Sequence, residues 1–256
     1  HVISLVFFAS VLAIPSGRVE VVHPSMETTR SGIKIVKFRA LDQDMELRLE
    51  PAGEILSDEF VSSYSGRKYL DIKTLKQRLY RDKQSGAALY IDEDGPLSIS
   101  GIVNPELRIQ PIEAERMSKD GTLAHRIVEV LEDDNFGTSD AVVPPGIADD
   151  LEQSKELDDN ECIEIKCLII SESSFTESFE SEIKLLEYLG IKMVEAQNQL
   201  DSLNLGVKIR LSNFRGYTND TELSFIEENI YPQNNNYLDY RKVLRGMRDY
   251  FSEISY

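Results

Sequence analysis

The chain has 256 residues, 45 acidic and 28 basic, and a formal net charge of −17. Such a surface repels phosphate backbones and has no pull toward anionic membranes, which disfavours nucleic acid and lipid headgroups as partners. The length allows one large domain or two modest ones.

The chain opens on an apolar run, Val2 to Ile14, followed by the small residues Pro15-Ser16-Gly17. The run is too short to span a bilayer and suits the hydrophobic region of a signal peptide. A buried N-terminal strand or helix is the competing reading. No Met or basic stretch precedes the run. Residues 1–17 are therefore expected to be a front-truncated signal peptide, and the remainder a secreted protein with no membrane association once the signal is removed.

Residues 18–130 read as short strands. Val19 and Val21 begin the series. Gly32–Arg39 and Met45–Glu50 alternate apolar with polar, as half-buried strands do. Gly86–Ile91 is a continuous apolar run ending in an Asp92-Glu93-Asp94-Gly95-Pro96 turn. Leu97–Val103, Leu107–Ile112 and His125–Val130 follow as further strands, and a short helix fits Ile72–Tyr80. Strands at this spacing predict an antiparallel β domain.

Residues 131–162 change character. The stretch 131–164 holds twelve acidic side chains and one basic residue, Lys155, around Pro144-Pro145-Gly146. A segment so charged and so poor in aromatics buries too little to order itself, so an exposed linker is expected. No dibasic site interrupts it.

From residue 163 the pattern becomes β-α-β-α. Ile163–Ile170 reads as a strand. Ser174-Phe175-Thr176-Glu177 has capping-box spacing. Behind it Phe179, Ile183, Leu186, Gly190, Met193, Gln197 and Leu200 share one helical face, with Gly190 permitting close packing. Gly206–Ser212 is the next strand. After an Asn/Pro-rich loop at 231–236, Tyr240, Val243, Leu244, Met247, Phe251 and Ile254 form the apolar face of a second helix. Strand–helix–strand order implies an α/β sheet with a crossover helix. Two strands and two helices make a small core, so the domain is expected to continue past Tyr256.

Four segments carry a family resemblance: Leu79-Tyr80-Arg81-Asp82-Lys83, Ser85–Tyr90, Gly95–Gly101 and Leu107-Arg108-Ile109-Gln110-Pro111. They are similar to the prodomain of reprolysin-like (adamalysin, metzincin) zinc metalloproteases, especially the secreted salivary type of blood-feeding arthropods. His125 fits the His-containing strand that follows in that pattern. Residues 163–256 resemble the start of the catalytic domain through the order of their elements. The resemblance implies a β-rich prodomain over 18–130, then the N-terminal β-α-β-α part of an α/β metzincin-type domain. It also implies cleavage of protein substrates by zinc-activated water, with a His-Glu-x-x-His-x-x-Gly-x-x-His helix supplying ligands and base.

That helix motif is absent. His1, His23 and His125 are scattered, and none is followed by Glu-x-x-His. No catalytic, cofactor-binding or metal-ligating residue is assigned. The zinc ligands are expected beyond Tyr256 in the full-length protein, leaving this fragment inactive.

Cys162 and Cys167 are the two cysteines. Five positions apart on a strand, they face opposite sides, so either partners lie elsewhere or the thiols are unpaired and buried. The residues around Cys162 lack the family's latency motif, and a structural role is expected. Glu164 resembles a family calcium ligand, yet one strand Glu is ordinarily solvated and calcium needs six or more oxygens. The pairs Asp133-Asp134, Asp149-Asp150 and Asp158-Asp159 read as solvated charge rather than catalytic dyads. The late tyrosines read as core, and Asn219-Asp220-Thr221 is one glycosylation sequon. The rival to a zinc metalloendopeptidase precursor is a secreted, acidic, non-catalytic binding or inhibitor protein. A zinc-helix motif within about a hundred residues past Tyr256 would separate the two.

Overall fold

A computed structural model describes residues 17–64, 72–112, 122–130, 163–229 and 239–253. The expected signal segment up to residue 16, the acidic linker 131–162 with Cys162, and the loop 231–236 lie outside the described residues.

In chain order the elements are β1 (Val19–Val22), β2 (Ser25–Thr28), β3 (Lys34–Ala40), β4 (Gln43–Pro51), β5 (Leu56–Tyr64), α1 (Ile72–Arg78), β6 (Leu79–Asp82), β7 (Ala87–Asp92), β8 (Ser98–Asn104), β9 (Leu107–Pro111) and β10 (His125–Glu129). They continue with β11 (Ile163–Ser171), α2 (Ser173–Glu177), α3 (Glu182–Ser202), β12 (Val207–Gly216), α4 (Ser224–Glu227) and α5 (Tyr240–Glu253). These elements fall into two compact units. The first draws its described residues from 17–56, 72–166 and 187–210, and the second from 57–71, 167–186 and 211–256.

The first unit is built on a nine-stranded sheet ordered β1-β10-β9-β8-β7-β6-β4-β3-β2. Its neighbours pair antiparallel, as the strand spacing predicts. Leu41 and Asp42 join β3 to β4 in a two-residue turn with φ of 51° and 64°. Positive φ at both turn positions matches the twist of the flanking strands. The Leu41 N–H then donates to the Glu20 carboxylate at 2.6 Å, which ties this turn to β1. The sheet therefore curls, and its concave face closes over Val36, Phe38, Leu49, Leu89, Ile99 and Ile127.

Period-2 patterning places these residues, since alternate positions of each strand meet the same face. β7 departs from that rule. Ala87, Leu89 and Ile91 enter the concave core, while Ala88 and Tyr90 on its other side are buried as well. That second face is covered by helix, so the continuous apolar run has a physical cause.

α1 stops at Arg78, two residues before the expected end at Tyr80. Leu79, fully buried, already pairs with Tyr90 in the ladder, and Ala52 N–H donates to the Leu79 carbonyl. Ladder bonds and burial override the helical preference there. Residues 187–202 of α3 belong to this unit. A Cβ on Gly190 would lie 3.0 Å from Leu79 Cδ1, so the glycine admits the close approach that its place on the helical face suggested.

The second unit holds the larger part of a three-stranded sheet ordered β11-β12-β5. Phe60 and Phe214 are buried within the unit. The Ser63 hydroxyl reaches the Phe214 carbonyl at 3.4 Å, and the Ser212 hydroxyl reaches the Cys167 carbonyl at 3.0 Å. The cap expected at Ser174 sits elsewhere. Glu172 is the N-cap, and its carboxylate accepts from Ser174 N–H at 2.8 Å and Phe175 N–H at 2.6 Å. This one-turn helix ends at Glu177, and helix resumes only at Glu182. Within the short helix the Thr176 hydroxyl is buried against Ser171 Oγ at 2.6 Å. Ile183 is exposed instead of lying on the apolar face.

Glu172→Ala removes a cap that satisfies two orphan amides and is expected to lower stability by about 1 kcal/mol. Urea denaturation of the variant would show this, and an unchanged midpoint would mean that water caps α2 equally well.

Near the chain's end, Leu223, Ile226 and Val243 cluster with Phe225, Tyr217 and Tyr250. Burial, followed by the hydrogen bond to Tyr250, pushes the Tyr217 phenol up to about 12. These two tyrosines serve a core, as their spacing predicts. Tyr231, Tyr237 and Tyr256 lie outside the described residues.

Candidate functional site

The first unit carries a polar cleft of about 340 Å³ lined by Glu50, Arg81, Lys83, Gln197, Asp201 and Arg210, among others. Its centre is Arg81. Strand β6 is flanked by β4 and β7, so the guanidinium emerges from the interior of a sheet and is only 10% exposed. A charge with so little water must find partners within the protein.

Glu50 stands directly opposite Arg81 on β4 and accepts from its Nε at 3.0 Å. Asp201, in the last turn of α3, accepts from Nη1 at 3.0 Å. Glu54 stands 3.8 Å from Nη2. Lys83 adds a second cation, 3.7 Å from Glu50 and 3.5 Å from Asp201. Asp201 is itself oriented by Gln197, whose amide donates to it at 2.7 Å and to the Val207 carbonyl at 3.0 Å. The Gln197 oxygen accepts from Ile209 N–H at 2.8 Å.

A similar arrangement recurs one turn away along the helix. The buried Asn198 amide donates to the Ala87 carbonyl at 3.0 Å, and Glu195 lies 3.7 Å from Arg108. Burial pushes the Arg108 guanidinium below its ordinary value, and Glu195 partly offsets this.

This chemistry holds rather than reacts. Each carboxylate already neutralises a cation, and the cluster contains no nucleophile paired with a base. What it does is fasten α3 to β4, β6 and β7.

The residues weighed from sequence fall elsewhere. His125 is fully buried on β10. Its Nε2 accepts from Ile99 N–H at 2.9 Å, so its proton sits on Nδ1, which donates to the Leu123 carbonyl at 3.0 Å. Burial lowers its pKa; the bond to Leu123 opposes the shift, and His23 adds slightly to it. Both ring nitrogens are committed to the backbone, so this histidine is a core residue and no ligand. Glu164 pairs with Arg210 at 2.8 Å. Asn219 stands on an exposed turn, where its amide donates to Glu177 at 2.7 Å. Cys167 is half-buried in β11.

The state of His125 has a consequence in acid. Because the folded pKa is depressed, the unfolded chain binds the proton first. Stability is complete above the ordinary value of 6.5 and drains away as pH falls toward the lowered one. Thermal melts at pH 7.5 and 5.5 are expected to differ more for the native chain than for His125→Gln. Equal acid sensitivity in the two would remove His125 as the cause.

Among the described residues no group of three His, Cys, Asp or Glu is placed to hold a metal ion. The donor chemistry agrees with that geometry, since the carboxylates of the cleft are engaged by Arg81 and Lys83. The described residues therefore do not fit a zinc ion. No described helix is long and apolar enough to cross a membrane.

Comparison with known proteins adds what this geometry lacks. The chain is 46% identical over 233 residues to venom metalloproteinase antarease TserMP_A of Tityus serrulatus, covering 91% of this chain and 58% of the relative. It is 41% identical to venom metalloproteinase BumaMPs1 of Olivierus martensii, over 96% of this chain and 63% of that protein. It is 40% identical to a metalloproteinase of Tityus obscurus, over 96% of this chain and 67% of the relative. The chain thus spans roughly three fifths of the length of the first of these relatives. No family model matches, and no solved structure does.

No pattern in the sequence singles out Arg81, Asn198 and Asp201 as a cluster. The signal available was Gln197 on the apolar face of a long helix, with Asn198 and Asp201 close by, together with an arginine inside a short strand.

Proposed function

The chain belongs to the metalloproteinase family, and from that premise we propose that it is the leading part of a secreted zinc metalloendopeptidase precursor of reprolysin type. The observation that carries this reading is identity of 40 to 46% over more than nine tenths of the chain to metalloproteinases, two of the three venom proteins by name.

Family membership implies a metal, and zinc is our reading of which. The described residues do not supply its site, so no step of hydrolysis is assigned to them. In this reading residues 18–130 are the prodomain, 131–162 the segment between, and 163–256 the start of the catalytic domain. The zinc-binding helix belongs to the part of the full-length protein beyond these residues. Protein substrates follow from the family, and secretion from the apolar opening of the chain. The prodomain assists folding and shields the catalytic cleft.

The test is to extend the transcript, express the full-length protein and assay gelatin digestion. Digestion by the full-length protein that a chelator abolishes, and none by the 256-residue chain, is expected. Chelator-sensitive digestion by the 256-residue chain itself would overturn the reading, and so would a full-length sequence lacking the zinc motif.

A further inference from the structure

Both compact units are assembled from chain on either side of residues 131–162. The first unit consists mainly of strands that precede this segment, yet it includes residues 187–202 of α3, which follow it. The second unit consists mainly of chain that follows the segment, yet it includes residues 57–64 of β5, which precede it. Most of one helix is thus given in one direction and most of one strand in the other.

The contacts in each exchange are of core quality. In the first unit, Gly190 sits against Leu79, Asn198 donates to the Ala87 carbonyl, and Arg81 is clasped by Asp201. Pulling α3 away would strip the Arg81 guanidinium of its Asp201 partner and the Ala87 carbonyl of the Asn198 amide. In the second unit, β5 is a full member of the sheet beside β12. The buried Ser62 hydroxyl donates to Glu182 at 2.6 Å, and Phe60 is buried in the same unit. Extracting β5 would bare the ladder bonds of β12. No disulfide shares this task, because both cysteines, Cys162 and Cys167, lie on the same side of any cut before residue 162.

We infer that cleavage within 131–161 leaves the two pieces joined as one non-covalent complex, held by α3 in the first unit and by β5 in the second. The covalent link contributes only effective concentration, and the packing it connects does not depend on it. Cutting is then insufficient for separation, and release becomes a second, separately controlled event. Such a complex forms whether or not the full-length protein is an enzyme.

The experiment inserts a recognition sequence for a site-specific protease after Gly146 in the full chain. The protein is cut to completion, as denaturing gels follow, and passed over a gel-filtration column at low micromolar concentration. Co-elution of both pieces at the position of the uncut chain is expected. Separate elution would overturn the inference.

A second arm locates the grip. Asn198→Ala and Asp201→Asn, each milder than a core deletion, are expected to leave the uncut chain folded by circular dichroism. Together they should raise the dissociation constant of the cut pieces about tenfold or more. An unchanged constant in the double variant would show that α3 is not the clasp.

Discussion

Gly101→Ala is expected to destabilise the protein by about 3 kcal/mol or more, a large effect for one added methyl group. Gly101 lies on β8 opposite Leu89, with φ of +136°, a conformation that side chains strongly resist. A Cβ there would stand 2.3 Å from the Ala88 carbonyl oxygen and 3.1 Å from Leu89 Cα. Both obstacles are backbone of the neighbouring strand, so no rotamer change relieves them. The centre of the nine-stranded sheet would have to part, and the concave core rests on that centre. Gly95 provides the control, since nothing lies within 4 Å of its Cβ position. Gly95→Ala should stay within about 0.5 kcal/mol of the native chain. Equilibrium denaturation in guanidinium measures both. A loss under about 1 kcal/mol for Gly101→Ala would mean that β7 and β8 shift apart at little cost.

Arg81→Met is expected to cost about 2 kcal/mol of stability. The substitution keeps most of the volume and removes the charge. Three carboxylates, Glu50, Glu54 and Asp201, then lose the guanidinium; Glu50 and Asp201 keep Lys83, at 3.7 and 3.5 Å. Breaking a fully buried pair from one side costs about 3–5 kcal/mol. The figure is smaller here because the carboxylates keep part of their water: Asp201 is 29% exposed and Glu50 48%. Adding Asp201→Asn to Arg81→Met should recover part of the loss, because it withdraws one of the three negative charges that had faced the guanidinium. A coupling energy under about 0.3 kcal/mol in that double-mutant cycle would show that packing, rather than charge, holds the last turn of α3.

Much of the strand framework is legible in the residue pattern. β3, β4, β7, β8, β9 and β10 all fall where alternation or a bounded apolar run puts them, each within a residue or two. The close approach at Gly190 follows from a glycine on an apolar helical face. β5 gives no such signal. Its stretch Leu56–Tyr64 buries Ser57 and Ser62 alongside Leu56 and Phe60, so no apolar alternation marks it as a strand. The start of α3 is displaced for a related reason. The capping-box pattern at Ser174 is pre-empted, because the carboxylate of Glu172 takes the Ser174 N–H that Glu177 would have capped, and the Phe175 N–H beside it.

The sequence by itself determined most of the strands of the nine-stranded sheet and the apolar face of each. It also determined that no histidine here belongs to a zinc-binding helix motif. These are local properties, set by side-chain period and residue type. Only the tertiary structure decided what each face is buried against: that Arg81 meets Asp201 across 120 positions, that β5 lies beside β12, and that α3 divides between two units. A periodic pattern states that a surface must leave water. It carries no information about which distant surface will cover it, because apolar burial is non-directional and many partners would satisfy it equally.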